Sequence, residues 1–270
     1  WPYSSGDVIV QDYNSILTLS HLLKVSDGMV VFENDLLNKT ATQLLNINSP
    51  GFKDMNSIIA RDLSSVFLPA FVGDTKPRPF RFHDLVVHIF NHCGYKFSTI
   101  RRIPQAPQAS KKYNTYNWKY LLKHLQQMQI SNAYMEEKIN WHVSLRRGGP
   151  SINTSLATAL FVRGGDAKNA ARLEHFSHRP MFASWAFEPT VKAYSMEQFD
   201  GNHRTAAVWS NSKSIIEPLD RLVASAWSKF STDAYTHHYV KHGVTKQHFQ
   251  RVFGNLEQAI GDYQKIGASK

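Results

Sequence analysis

An α/β protein with a parallel sheet in its first part, an α+β second part and closing surface helices is the fold class this sequence predicts. Three observations predict it. Short apolar runs alternate with leucine-rich helical periods through residue 68, buried-strand runs follow an amphipathic helix up to about residue 210, and two wide amphipathic stripes fill the remainder. Alternation of strand and helix marks βαβ units, which place ligands at the carboxyl ends of parallel strands. With 270 residues, 42% of them apolar and 19% charged, the chain can bury a large core in one large or two medium domains.

Taken in order, Asp7 to Val10 forms a short apolar run read as a strand, and Ser15 to Lys24 places Ile16, Leu19, Leu22 and Leu23 on one helical face. "GMVVF" reads as a second strand, ending at Glu33, Asn34 and Asp35, after which Leu36, Leu37, Thr40, Leu44 and Leu45 begin another helix. Ser49 is the expected N-cap of the next helix, with Pro50 at its first position, where the missing N–H costs nothing. Phe52, Met55, Ile59, Asp62, Leu63 and Val66 carry its period to a stop near Pro69. Residues 69–82, with three prolines, read as an extended surface loop. Beyond them the sequence predicts a helix from Trp118 to Met128, strands at "SLATALFVRGG", "MFASWAF" and "RTAAVWS", and final helices around Ile215–Phe230 and "HFQRVFGNLEQAIGDY".

Composition narrows the function classes. The single cysteine, Cys93, forms no internal disulfide; it reads as a packing residue in a reducing compartment. No stretch approaches the ~18 consecutive apolar residues of a membrane helix, and the start "WPYSSGDVIV" lacks signal-peptide blocks. A chain opening on Trp rather than Met is expected to be the later part of a longer protein. The formal charge of +10 comes from scattered Lys and Arg rather than one basic run, so specific nucleic-acid binding is not expected. His238 and His242 share a helical face, but no H-E-x-x-H carboxylate accompanies them, and the His237, His238, His242 and His248 group reads as structural rather than metal-binding. G-x-S-x-G, G-x-G-x-x-G and the P-loop pattern are all absent.

What remains is the pair Phe52 and Asn56, four residues apart on one face of a helix's first turn. An aromatic ring can stack on a purine, and a carboxamide offers both a donor and an acceptor to a base edge. Taken alone, such a pair is most often core plus cap. Asp7, Gln11 and Asn34, near predicted strand ends, are the residues that could gather about the same ligand.

The motifs "DVIVQDYNSILTL", "FENDLL", "INSPGFKDMNSII", "ALFVRGG", "SNSKSIIEPLDRL" and "AYTHHYVKHGVTKQHF" follow one another in the order and spacing of the tubulin superfamily. By these six motifs the chain resembles that superfamily over essentially its whole length. "VQDYNSILTLSHL", "ENDLLNK", "SSVFLPAF" and "LLKHLQQMQISNAYMEE" are most similar to its delta branch. The resemblance implies a tubulin-like fold: residues 1–68 as the later portion of a Rossmann-like GTP-binding domain with its central helix, 69–210 as an intermediate domain, and 211–270 as a helical region.

It also implies GTP or GDP as ligand, with magnesium held by residues outside this chain together with the glycine-rich phosphate loop. Asp7 and Gln11 would lie near ribose and phosphates, Asn34 would reach the guanine edge, Phe52 would stack on the base and Asn56 would hydrogen-bond it. Gln11 and Phe52 stand where the common tubulins have glutamate and tyrosine. In "FHDLVVHIF", Asp84 and Leu85 match the loop-helix motif that contacts the next subunit. Val87 falls at the position of the alpha-type glutamate that activates water, and valine can act neither as a base nor to orient a nucleophile. No catalytic residue is therefore expected here, and any GTP turnover would be slow. The implied partners are other tubulins or centriolar microtubule proteins, in the cytoplasm, at centrioles, basal bodies and cilia; an active GTPase or a nucleator of another tubulin branch is the competing reading. The ending "QKIGASK" lacks a glutamate-rich tail, and a basic chain would be steered toward acidic partner surfaces.

Overall fold

The computed structural model describes residues 1–4, 6, 8–107, 116–145 and 152–267. Its centre is a mixed sheet of seven strands in the order β1-β4-β7-β5-β6-β2-β3. They are β1 (Met29–Val30), β2 (Phe71–Val72), β3 (Arg78–Pro79), β4 (Phe97–Ile103), β5 (Ser155–Gly164), β6 (Thr190–Ser195) and β7 (Arg204–Ser212). β1 runs parallel to β4 and β5 parallel to β6, while β7 lies antiparallel between β4 and β5.

All ten residues of β5 are buried, because helices cover both faces of the sheet. That double burial is why "SLATALFVRG" reads as a continuous run rather than an alternation. Leu160 and Val162 face one layer, built on α5 (Trp118–Ile130) through Leu121, Leu125 and Met128. Ala159 and Phe161, one residue out of phase, face the other, with Val66, Leu85 and Ile89. That second layer is made by α3 (Phe52–Phe67) and α4 (Phe82–Ile89).

The remaining helices are α1 (Gln11–Val25), α2 (Asn34–Lys39), α6 (Ala167–Ala171), α7 (Ile216–Ser231), α8 (Thr236–Val240) and α9 (Lys246–Gln264). α2 continues as a π-helical turn, Thr40–Leu44. Tyr13 and Ile16 of α1, Leu219 and Val223 of α7, and Phe249, Phe253 and Leu256 of α9 form one apolar cluster. Burying this stripe uses the wide apolar faces read from the sequence.

Five expectations are corrected. Residues 8–10 are not a strand: Val8 and Ile9 are more than half exposed, and the Gln11 N–H donates to the Val8 carbonyl at 3.0 Å, closing a turn into α1. "MFASWAF" is a short 3₁₀ turn followed by irregular chain, with Trp185 and Phe187 exposed; the strand comes later, as β6. Ser49 does not cap α3. It adopts φ 55°, and Gly51 takes the cap position, where its N–H donates to Asp54 Oδ2 at 2.9 Å. The 69–82 loop holds the β2–β3 hairpin, which extends the sheet edge. Cys93 is exposed rather than packed.

Candidate functional site

α3 takes its phase from Met55, Ile58, Asp62, Ser65 and Val66, which point into the protein. Asn56 therefore faces outward, as does Phe52, which is 70% exposed. An aromatic left in water forgoes burial worth on the order of 2 kcal/mol. Asp54, the acidic residue of the first turn, answers the positive end of the helix.

Three helix starts are fastened together by residues 1–4. The Asn34 N–H at the head of α2 donates to the Trp1 carbonyl at 3.2 Å, and Gln11 Nε2 at the head of α1 donates to the Tyr3 carbonyl at 2.8 Å. The Tyr3 hydroxyl reaches Met55 Sδ on α3 at 3.2 Å, and the Ser4 N–H donates to Asp35 Oδ2 at 2.9 Å. Gln11, Asn34 and the first turn of α3 are thus tied through one short segment. Among the described residues, no hydrogen bond joins Gln11, Asn34, Phe52 or Asn56 to one another. The carboxamides of Asn34 and Asn56 and the ring of Phe52 have no partner of their own there. Asp7 lies outside the described residues.

α4 presents Val87 outward, 53% exposed, in a cleft of about 420 Å³ that also holds Arg78, His83, Asp84 and Asn91. Asp84 pairs with Arg78 at 3.5 Å. Leu85 is 3% exposed and belongs to the core, so its side chain cannot touch a partner. His88, which follows Val87, is held by the Thr158 carbonyl at 2.9 Å, and burial pushes its pKa down.

No family model matches the chain. Among curated proteins, it is 40% identical to the tubulin delta chain of Mus musculus over 290 residues, covering 99% of this chain and 62% of that one. It is 38% identical to the tubulin delta chain of Homo sapiens, covering 97% of this chain and 61% of that one. More distantly, it is 24% identical to the tubulin alpha chain of Pneumocystis carinii over 96% of its own length.

The chain belongs to the tubulin family.

It spans about 60% of the length of the delta chains it matches. Its seven-stranded mixed sheet with helices on both faces is the tubulin-like α/β fold. In this tubulin-family chain the exposed ring and amide of α3 can do one thing chemically: present a flat apolar face and a paired donor and acceptor to a planar heterocycle.

Sequence reasoning missed the residues that hold α3 in place. Asp62 is 4% exposed and accepts from Arg102 Nε at 2.9 Å and from the Tyr134 hydroxyl at 3.0 Å. Burial raises the pKa of Asp62, opposed by the charge and hydrogen bond of Arg102. The same burial, with Asp62 beside it, raises that of Tyr134. A carboxylate in the apolar period of α3 was the visible signal; its partner was hidden in β4, whose two arginines break the apolar run.

Proposed function

We propose that this chain supplies the base-gripping half of a guanine-nucleotide site, binding GTP or GDP in a delta-tubulin-like cytoskeletal protein. The observation that carries the reading is Phe52, exposed and partnerless one turn ahead of Asn56, on a helix whose other face is packed. Phe52 would stack on the base and Asn56 and Asn34 would read its edge, with Gln11 and Asp7 toward ribose and phosphates. The residues fit half of such a ligand: no phosphate-cradling motif occurs in the sequence, so phosphates and magnesium fall to residues outside the chain.

Because the chain spans about 60% of the length of the delta chains it matches, the role is part of the proposal: building or maintaining centriolar and basal-body triplet microtubules, with other tubulins as partners, in the cytoplasm and at the cilium base. α4, with Asp84 and Val87 on its surface, would meet the next subunit without activating water in that subunit's site. The output is structural or switch-like.

The test is guanine-nucleotide affinity of the full-length protein as wild type, Phe52→Ala and Asn56→Ala. Loss of about 1 to 3 kcal/mol with Phe52→Ala is expected of a stacking contact. Equal affinity in all three proteins would overturn the assignment.

A further inference from the structure

Away from the α3 start, a cavity of about 420 Å³ opens between α2, β4, the 131–138 segment and the head of α7. Its apolar walls include Leu36, Met135, Ile215 and Pro218. Its charged walls are Lys39, Arg101, Lys138 and Arg221 against Glu33 and Glu217. Arg221 and Glu33 are engaged with each other at 3.1 Å. Three cations then face one acid.

Arg101 is the unusual member. It is 3% exposed, yet among the described residues every group it touches is neutral. Nε donates to the Ala133 carbonyl at 2.9 Å, Nη1 to Thr99 Oγ1 at 3.1 Å and Gln129 Oε1 at 3.0 Å, and Nη2 to Asn132 Oδ1 at 2.6 Å. A guanidinium has five N–H donors, so one on Nη2 is left over. Buried cations are normally paired with carboxylates, because an uncompensated charge in the interior is costly. Burial accordingly pushes the Arg101 pKa down to about 10. The four bonds hold the side chain rigid, so an incoming group would meet a fixed, desolvated cation.

We infer that this cavity binds a small organic anion, an apolar body carrying one carboxylate-like head, with Arg101 and Lys138 taking the head and Leu36, Met135 and Ile215 the body. The apolar walls argue against a bare inorganic ion. The size suits a compact molecule rather than a peptide. Arg101 lies in β4, not on α3, and the inference stands apart from the nucleotide reading.

The test uses three probes on the whole chain, 4-phenylbutyrate and the shape-matched neutral 4-phenylbutan-1-ol together with the shorter phenyl phosphate, measured by calorimetry and by amide shift mapping. Saturable binding of 4-phenylbutyrate, at least about tenfold tighter than the alcohol, is expected, since one charge-assisted hydrogen bond in a desolvated site is worth that factor. Tighter binding of phenyl phosphate than of the carboxylate would assign a phosphate head to the same anion site. Arg101→Gln and Lys138→Ala should each weaken the anion at least about fivefold, while Lys119→Ala, an equal loss of charge elsewhere, should not. Should Arg101→Gln not fold, Lys138→Ala together with shifts confined to Thr99, Asn132 and Ser214 carries the test. Equal binding of acid and alcohol, equal loss in Lys119→Ala, or no saturable binding of any probe would each overturn the inference.

Discussion

Arg102 Nε donates to Asp62 Oδ1 across 2.9 Å in the interior of the protein, and through this pair the central helix α3 is bolted to strand β4. The Tyr134 hydroxyl completes the carboxylate, and Asp200 stands 3.8 Å from Arg102 Nη1. Removing Asp62 leaves the buried Arg102, among the described residues, with only the more distant Asp200 as counter-ion. Asp62→Ala should lose about 3–5 kcal/mol of unfolding free energy in urea. Replacing both, as Asp62→Leu with Arg102→Met, should lose clearly less. If the double variant proves as unstable as the single one, the pair does more than neutralise charge.

Neighbouring residues in the first turn of α3 should behave oppositely. Phe52→Ala, at an exposed position, should change stability by no more than about 0.5 kcal/mol. Met55→Ala, 3% exposed and packed with Leu37, Ala41 and Ile58, should cost about 2–5 kcal/mol. Thermal or urea unfolding of the two variants reads the orientation of the helix directly. A large loss with Phe52→Ala would mean that the ring is packed after all.

His88 supplies a pH dependence with a definite sign. Burial lowers its folded pKa below the ordinary imidazole value of about 6.5, against weaker opposing effects from the Thr158 and Pro189 carbonyls and Glu188. The unfolded chain then binds the proton more readily than the folded one, so stability present at higher pH is lost as pH falls from about 6.5 toward the folded value. His88→Gln removes that titration. Urea unfolding between pH 7.5 and 5.5 should therefore show a shallower loss in the variant than in the wild type, and parallel curves would count against a buried neutral imidazole.

Gly164 ends β5 at φ 117°, and a Cβ there would stand 2.0 Å from the His203 carbonyl oxygen. Both the backbone conformation and the close approach to β7 require glycine. Gly164→Ala should cost at least about 1–3 kcal/mol from the strained dihedral alone. A melting temperature equal to that of wild type would show that the strand end can move.

Long elements with a strong period were legible in the sequence: β5 and β7 as apolar runs, α5, α7 and α9 as stripes. β4 was not, because Arg101 and Arg102 interrupt "FSTIRRI", although all but one of its residues are buried. Their burial depends on Asp62, Gln129 and Asn132, none of them near in sequence. Residues 8–10 erred the other way: three apolar residues suffice for strand character, but among the described residues no strand pairs with them. In the candidate site, the shared face of Phe52 and Asn56 followed from helical spacing, whereas the fastening of Gln11, Asn34 and Met55 through Trp1 and Tyr3 did not.

Six ordered motifs are enough to reach the family, and the phase of α3 is readable without coordinates, since helical period depends only on residues a few positions apart. Which charges are buried, and what they meet, was settled by packing. Arg102 is safe inside because Asp62 and Tyr134 arrive from other elements, and Arg101 is left with a spare N–H because, among the described residues, no carboxylate reaches it. The reason is physical: periodicity is a property of one segment, but the cost of a buried charge is set by partners that packing alone brings within reach.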